Sequence, residues 1–345
     1  MSTGLSNINI EKTINKLVFV VSFGIVAHLV FLLMTNDKNV FQYLNNIKLR
    51  YLFLILCLLM FNWIGHAIRM VIWTRYLKQQ LPFKSTFRIA VYTELGSSIT
   101  PTLIGGGPIK LGLLIKNGLS TGKAGFLTLL NGVEDFIMYS IVFVIGFFYA
   151  KKSIFKIFES ISQFVQTNWE YVLSVLVLLF IIKWLFKNIS VLKEVSIIPK
   201  KYKTGWANLK VELKSGWVEM TQTFNQVRKD GLRYFIVSFA ILITQWFCRF
   251  SVLAVLLYAL DIDFRPFQVY IQQWIVYLTM IFIPTPGATG GAEATFFLLF
   301  EGEIPKELLP LVVSTWRFFM YYLMLFLAVF LIQIVKLSDI STDNS

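Results

Sequence analysis

Ile283-Pro284-Thr285-Pro286-Gly287-Ala288-Thr289-Gly290-Gly291-Ala292-Glu293 interrupts one apolar stretch, and Ile99-Thr100-Pro101-Thr102-Leu103-Ile104-Gly105-Gly106-Gly107-Pro108 interrupts another in the other half of the chain. Proline removes a backbone donor and glycine weakens a helix, so neither run continues as one helix. Inside lipid a broken helix is tolerated only where protein or water satisfies the freed backbone groups. Interruptions paired across two halves of a chain mark the midplane site of a transporter. They point to a carrier embedded in a membrane.

Composition agrees. Of 345 residues, 56% are hydrophobic, 16% aromatic and only 15% charged, which leaves too little polar sequence for a separate soluble domain. The expectation is one transmembrane domain over 1–345. A net charge of +13 would suggest nucleic acid in a soluble protein. Here the Lys and Arg residues lie mostly in loops beside apolar runs, where anionic headgroups explain them, and no nucleic-acid partner is expected. Cys57 and Cys248 stand in apolar runs without paired spacing, which indicates neither a disulfide framework nor a metal site. The run starting near Leu17 lacks a small-residue cleavage site and is expected to be a retained span.

The fold class expected is all-α: a polytopic integral membrane protein with about six full spans and two re-entrant broken-helix hairpins. The spans are Lys16–Met34, Tyr51–Trp73, Lys123–Tyr149, Tyr171–Phe186, Leu232–Leu260 and Leu308–Lys336. The broken stretches are Ser85–Ile115 and Pro266–Phe300. With both termini in the cytoplasm, twenty-one basic residues fall inside, eleven of them in the 183–233 linker, and eight fall outside. That asymmetry sets the orientation in a cell (inner) membrane. Units 51–150 and 232–336 then run in opposite senses as an inverted repeat. Pro82-Phe83 and Pro266-Phe267 precede the two breaks at similar distances, with Arg69 and Arg249 before them. In the cytoplasmic linker 190–231, Trp206, Leu209, Leu213, Trp217, Met220 and Phe224 recur at three- and four-residue steps, as in an amphipathic helix lying at the headgroups.

A charge at mid-bilayer costs about 3 kcal/mol even on insertion scales, so each embedded one needs a reason. Arg69, Arg249, Arg317, Glu94, Glu134, Asp135 and Glu293 qualify. Asn62, His66 and Arg69 form one polar stripe, and Gln245 and Arg249 another. Two readings are open. The arginines lock helices together by pairing with Glu94, Asp135 or Glu293, or they take the phosphate of a crossing headgroup beside the exposed N–H groups of half-helix N-termini. Likewise the glycines either allow close helix crossing or form the path itself. Neither His28 nor His66 has the spacing of a zinc ligand set, and no P-loop or GxSxG occurs. No enzyme activity, cofactor or metal is expected.

These motifs resemble the flippase-like transmembrane domain family whose best-known member is the membrane half of lysylphosphatidylglycerol synthase/flippase. Pro284 through Glu293 looks like the family's P-x-P-G-G-x-G-x-x-E, with Ala288 at the second glycine and Arg317 where members often carry an arginine. Thr100 through Lys110 looks like its proline, G-G-D/E and basic residue, with Gly107 for the acid and Lys110 for the arginine. Asn131-Gly132-Val133-Glu134-Asp135 sits where members read E-R-x-x-D, retaining Asp135.

The resemblance implies movement of a polar lipid between leaflets. The chain ends nine residues past Lys336, leaving no counterpart of an aminoacyl-transferring domain, so no aminoacylated lipid is expected to be made. The expected function is a flippase or translocase for an anionic phospholipid or lipid-linked polar headgroup. Arg69, Arg249, Arg317, Glu94, Asp135, Glu293 and Lys110 would contact it, and Pro101, Gly105, Gly106, Gly107, Pro284, Pro286, Gly287, Gly290 and Gly291 would form the gated path. The alternative is an accessory protein holding a lipid or cell-envelope glycan biosynthetic enzyme at the membrane. An intramembrane lipid-modifying enzyme ranks below both, because no nucleophile and base are visible together.

Overall fold

The computed structural model describes residues 47–100, 105–149, 200–283, 285 and 287–332, with isolated positions between 155 and 173, and of 200–214 the backbone only. The spans expected at Lys16–Met34 and Tyr171–Phe186 (Leu173 apart) lie outside the described residues, as do Pro101, Pro284 and Pro286. Among the described residues the regular elements are helices. They are α1 (Leu49–Tyr76), α2 (Phe83–Ile99), α3 (Gly106–Lys116), α4 (Thr121–Tyr149) and α5 (Lys200–Asp230), then α6 (Leu232–Ala259), α7 (Pro266–Met280), α8 (Gly291–Phe300) and α9 (Leu309–Ile332).

Four helices, α1, α4, α6 and α9, are long and apolar enough to cross a membrane. Their outward faces are apolar as well: Phe136, Phe143 and Phe148 of α4 and Phe326 and Phe330 of α9 are exposed. A soluble bundle would turn charge outward there, so these faces meet lipid. With hydrocarbon outside, burial of apolar surface does little to hold the helices together; close packing and buried polar contacts do it instead.

Between each pair of long helices lies a broken pair, α2 with α3 and α7 with α8, each packed against its own partner. The order long, short, short, long therefore occurs twice, and its first helices, α1 and α6, are both 28 residues long. These two helices form the most extensive contact between elements. Tyr51 meets Tyr258 near one end, Gln245 donates to the Asn62 carbonyl at 2.8 Å in the middle, and Trp73 meets Tyr234 near the other. Rising numbers on α1 thus match falling numbers on α6, and the two run antiparallel. Gly65 leaves room for the Gln245 side chain at this crossing, since a Cβ there would collide with it.

Sequence chemistry sets the helix boundaries at the breaks. Pro266 opens α7 at the first helical position, where its missing N–H costs nothing. Gly106 and Gly291, inside the interruptions, open α3 and α8. In α9 the winding changes after Arg317, where Phe318–Leu323 forms a π-helical segment, a local widening that often accompanies functional positions.

The linker helix α5 packs one face on the bundle over its described part. Gly216, Met220, Thr223 and Val227 turn inward, while Trp217 and Phe224 are exposed. Of the apolar stripe's described side chains, Met220 is half-buried and Trp217 and Phe224 are exposed.

Candidate functional site

Each break is held by side-chain hydrogen bonds. At the second, Gly287 and Gly290 have φ of 62° and 88°, and Ala288 joins them at 55°. The turn aims the Gly287 and Ala288 carbonyls at Arg317, which donates from Nη1 to Gly287 O at 3.1 Å and from Nη2 to Ala288 O at 3.2 Å. The same guanidinium meets Glu293 in a two-point ion pair, Nε to Oε1 at 2.7 Å and Nη2 to Oε2 at 3.0 Å. Glu293 also turns back on the start of α8, where its Oε2 accepts from the Gly290 N–H at 2.7 Å. Trp316 and Tyr321 place their rings 5.3 and 5.8 Å from the guanidinium carbon.

The first break is tied more lightly. Thr100 Oγ1 accepts from the Gly105 N–H at 2.8 Å and donates to Gly96 O at 2.9 Å. A Cβ at Gly106 would meet Thr93 O at 2.8 Å as well as Ser97 Oγ, and one at Gly96 would strike Ile109. Close crossing of α2 and α3 thus accounts for Gly96 and Gly106. Gly107 is different: the nearest atom to a Cβ there is Thr128 Cγ2 at 3.9 Å.

The two breaks meet at Tyr321. Its hydroxyl donates to Ser98 O at 3.0 Å, at the end of α2, and its ring covers Gly287, where any Cβ would run into it. Sequence reasoning passed over this tyrosine, since nothing in Phe318-Phe319-Met320-Tyr321-Tyr322 sets it apart from ordinary apolar helix.

The remaining embedded charges lie between α1, α2, α4 and α6. Arg249 Nη1 donates to Glu94 Oε1 at 3.1 Å, with the Tyr277 and Trp246 rings at 5.4 and 5.8 Å from its guanidinium carbon. Arg69 is 2% exposed and pairs with fully buried Glu134, while its Nη1 and Nε donate to Gln245 Oε1 and Ser238 Oγ at 3.3 and 3.4 Å. Gln245, bonded to both α1 and Arg69, is where the two polar stripes touch. Lys110 of α3, also 2% exposed, donates to Asn131 Oδ1 and lies 3.3 Å from His66 Nε2. Both of these partners are neutral when the imidazole accepts.

Each embedded arginine expected at the site thus has a carboxylate, but Arg69 takes Glu134 rather than Asp135. Adjacent helical positions point about 100° apart, which buries Glu134 against α1 and leaves Asp135 half-buried. The second Glu134 oxygen, Oε1, is buried without a hydrogen-bond partner. Lys110 stands apart from the arginines: among the described residues no carboxylate lies within ion-pair distance of its ammonium. A recess of about 380 Å³ beside the turn between α1 and α2 is lined by Ile68, Val71, Arg75 and Gln80 through Phe83, and includes none of the ion pairs. Among the described residues no three His, Cys, Asp or Glu side chains are grouped as metal ligands.

Comparison with known proteins places this geometry in context. The family model described as the lysylphosphatidylglycerol synthase transmembrane region matches residues 19–328, a span that includes both breaks and every embedded charge named above. A UPF0104 membrane protein of Archaeoglobus fulgidus is 24% identical over 272 residues, covering 76% of this chain and 80% of its own length.

Proposed function

The chain belongs to the lysylphosphatidylglycerol synthase transmembrane-region family, and we propose that it is a lipid translocase that moves an anionic phospholipid or a lipid-linked polar headgroup between leaflets. The observation that carries this reading is the meeting of the two helix breaks at Tyr321, with Arg317–Glu293 beside one and Glu94–Arg249 beside the other. Charges with no path to serve have no need to gather where two helices are interrupted. In this reading the structure is the closed state. The acids hold the places that a headgroup phosphate would take, and Lys110 offers an ammonium that no carboxylate among the described residues occupies.

The unit 51–150 and the unit 232–336 are read as an inverted repeat, supported by the repeated element order and the antiparallel course of α1 and α6. Six spans, two re-entrant hairpins and cytoplasmic termini complete the topology, the last supported by the excess of basic residues on that side. Rocking one unit against the other would part the Tyr321–Ser98 contact and open the breaks to one leaflet at a time.

A second reading is favoured by one fact: all three arginines are already paired. That is the arrangement expected of charges that lock helices in a non-transporting accessory protein. Liposome transport separates the two. Purified protein carrying Lys110→Gln should insert and fold normally but move labelled anionic lipid at least tenfold more slowly than wild type. Wild type that leaves lipid movement at the protein-free rate would establish the accessory role.

A further inference from the structure

The linker helix α5 is seated by a carboxylate on the start of a transmembrane helix. Glu219 Oε1 accepts from Ser120 Oγ at 2.6 Å, and its Oε2 accepts from the Gly122 N–H at 3.2 Å. These are free donors at the N-terminus of α4, which carries Asn131, Glu134 and Asp135. Gly122 and Gly216 allow the approach, since a Cβ on Gly122 would come within 2.8 Å of Gly216 O. At its other end α5 is tied to α1 by the hydrogen bond from the Tyr76 hydroxyl to Asp230. These contacts fix the rotation of α5.

What that rotation turns outward is specific. At about 100° per residue, Lys203, Lys210, Lys214, Trp217, Phe224 and Arg228 all fall within roughly 40° of the direction opposite Glu219. Trp217 is 67% exposed and Phe224 52%. α5 carries three acids against seven Lys and Arg residues, and two of those acids, Glu219 and Asp230, are bonded to the protein. By register that face carries four basic residues and three aromatic ones, Trp206 together with Trp217 and Phe224, and its described members Trp217, Phe224 and Arg228 are exposed.

We propose that this face of α5 binds the anionic headgroup surface of the bilayer, so that lipid charge is sensed by a helix bonded through Glu219 to α4. Charge complementarity selects the partner: basic residues beside aromatic ones suit a phosphate layer over hydrocarbon, which takes the cations at its surface and the rings just below. The helix lies where α1 ends and α4 and α6 begin, at the boundary of the apolar bundle, where that layer must be.

The test uses the full chain in lipid nanodiscs, with Cys57 and Cys248 replaced by Ser and an environment-sensitive fluorophore at Thr221→Cys on the outward face. Emission should rise and shift to the blue when phosphatidylglycerol is added to phosphatidylcholine. The response should weaken as salt is raised. Replacing Lys203, Lys210 and Lys214 by Gln should weaken partitioning by roughly fivefold per lysine. Emission that is the same in neutral and anionic discs, or insensitive to salt, would overturn the proposal and turn attention to a protein partner. The salt series needs no variant, so the test stands even if the triple variant folds poorly.

Discussion

Ala288 occupies a left-handed backbone conformation, φ 55°, at a buried position directly after Gly287. A side chain costs about 1 kcal/mol there, which is the physical reason that the related motif reads glycine at this point. Ala288→Gly is therefore expected to keep or raise the thermal midpoint in detergent. Gly287→Ala should lower it sharply, since its Cβ would enter the Tyr321 ring. Tyr321→Phe removes one hydrogen bond, worth about 1 kcal/mol, between the two breaks. If the structure is the closed state, this variant should fold normally and move lipid faster than wild type; slower movement would show that the contact belongs to the transporting state instead.

At the scale of elements, the α7–α8 break is held to α9 by Arg317. Removing one partner of a buried ion pair typically costs about 3–5 kcal/mol, because the other is left uncompensated. Arg317→Ala is thus expected to destabilise the protein strongly. Adding Glu293→Ala should recover part of the loss, which thermal denaturation of the single and double variants would measure. Additive losses would mean that the pair contributes no coupling. Loss of transport in Arg317→Ala alone would then say little about headgroup contact, and Lys110 is the cleaner probe.

Much of this level was legible in sequence. Proline and glycine located both breaks, and helices α3 and α8 begin at glycines inside them. The embedded charges stood out because lipid makes them expensive. Their pairing did not, since whether Arg69 finds Glu134 or Asp135 depends on the rotation of α4 against α1. Tyr321 and the π-helical segment were equally hidden, because local sequence does not encode which tyrosine meets a carbonyl 223 residues away.

For the whole molecule, the antiparallel course of α1 and α6 leads to a prediction about sidedness. In the inverted repeat, the turn after α1 and the turn after α6 open on opposite faces of the membrane. Gln80 and Asp263 are exposed in those turns. In protein with Cys57 and Cys248 replaced by Ser, Gln80→Cys should react with a membrane-impermeant maleimide only from the cytoplasmic side, and Asp263→Cys only from the other. Labelling of both from one side would refute the inversion. The charge asymmetry of the loops already implied opposite senses for the two units, and the residues that touch along the α1–α6 contact show these two helices to be antiparallel.

Translocation itself is tested most directly by reconstituting the purified chain into liposomes with fluorescent lipid in both leaflets, then bleaching the outer leaflet with dithionite. Wild type should carry the loss of signal beyond the outer-leaflet pool for an anionic or lipid-linked headgroup, and Lys110→Gln should return it to the protein-free course. A signal that stops at the outer-leaflet pool for anionic, amine-bearing and isoprenoid-linked lipids alike would contradict translocation.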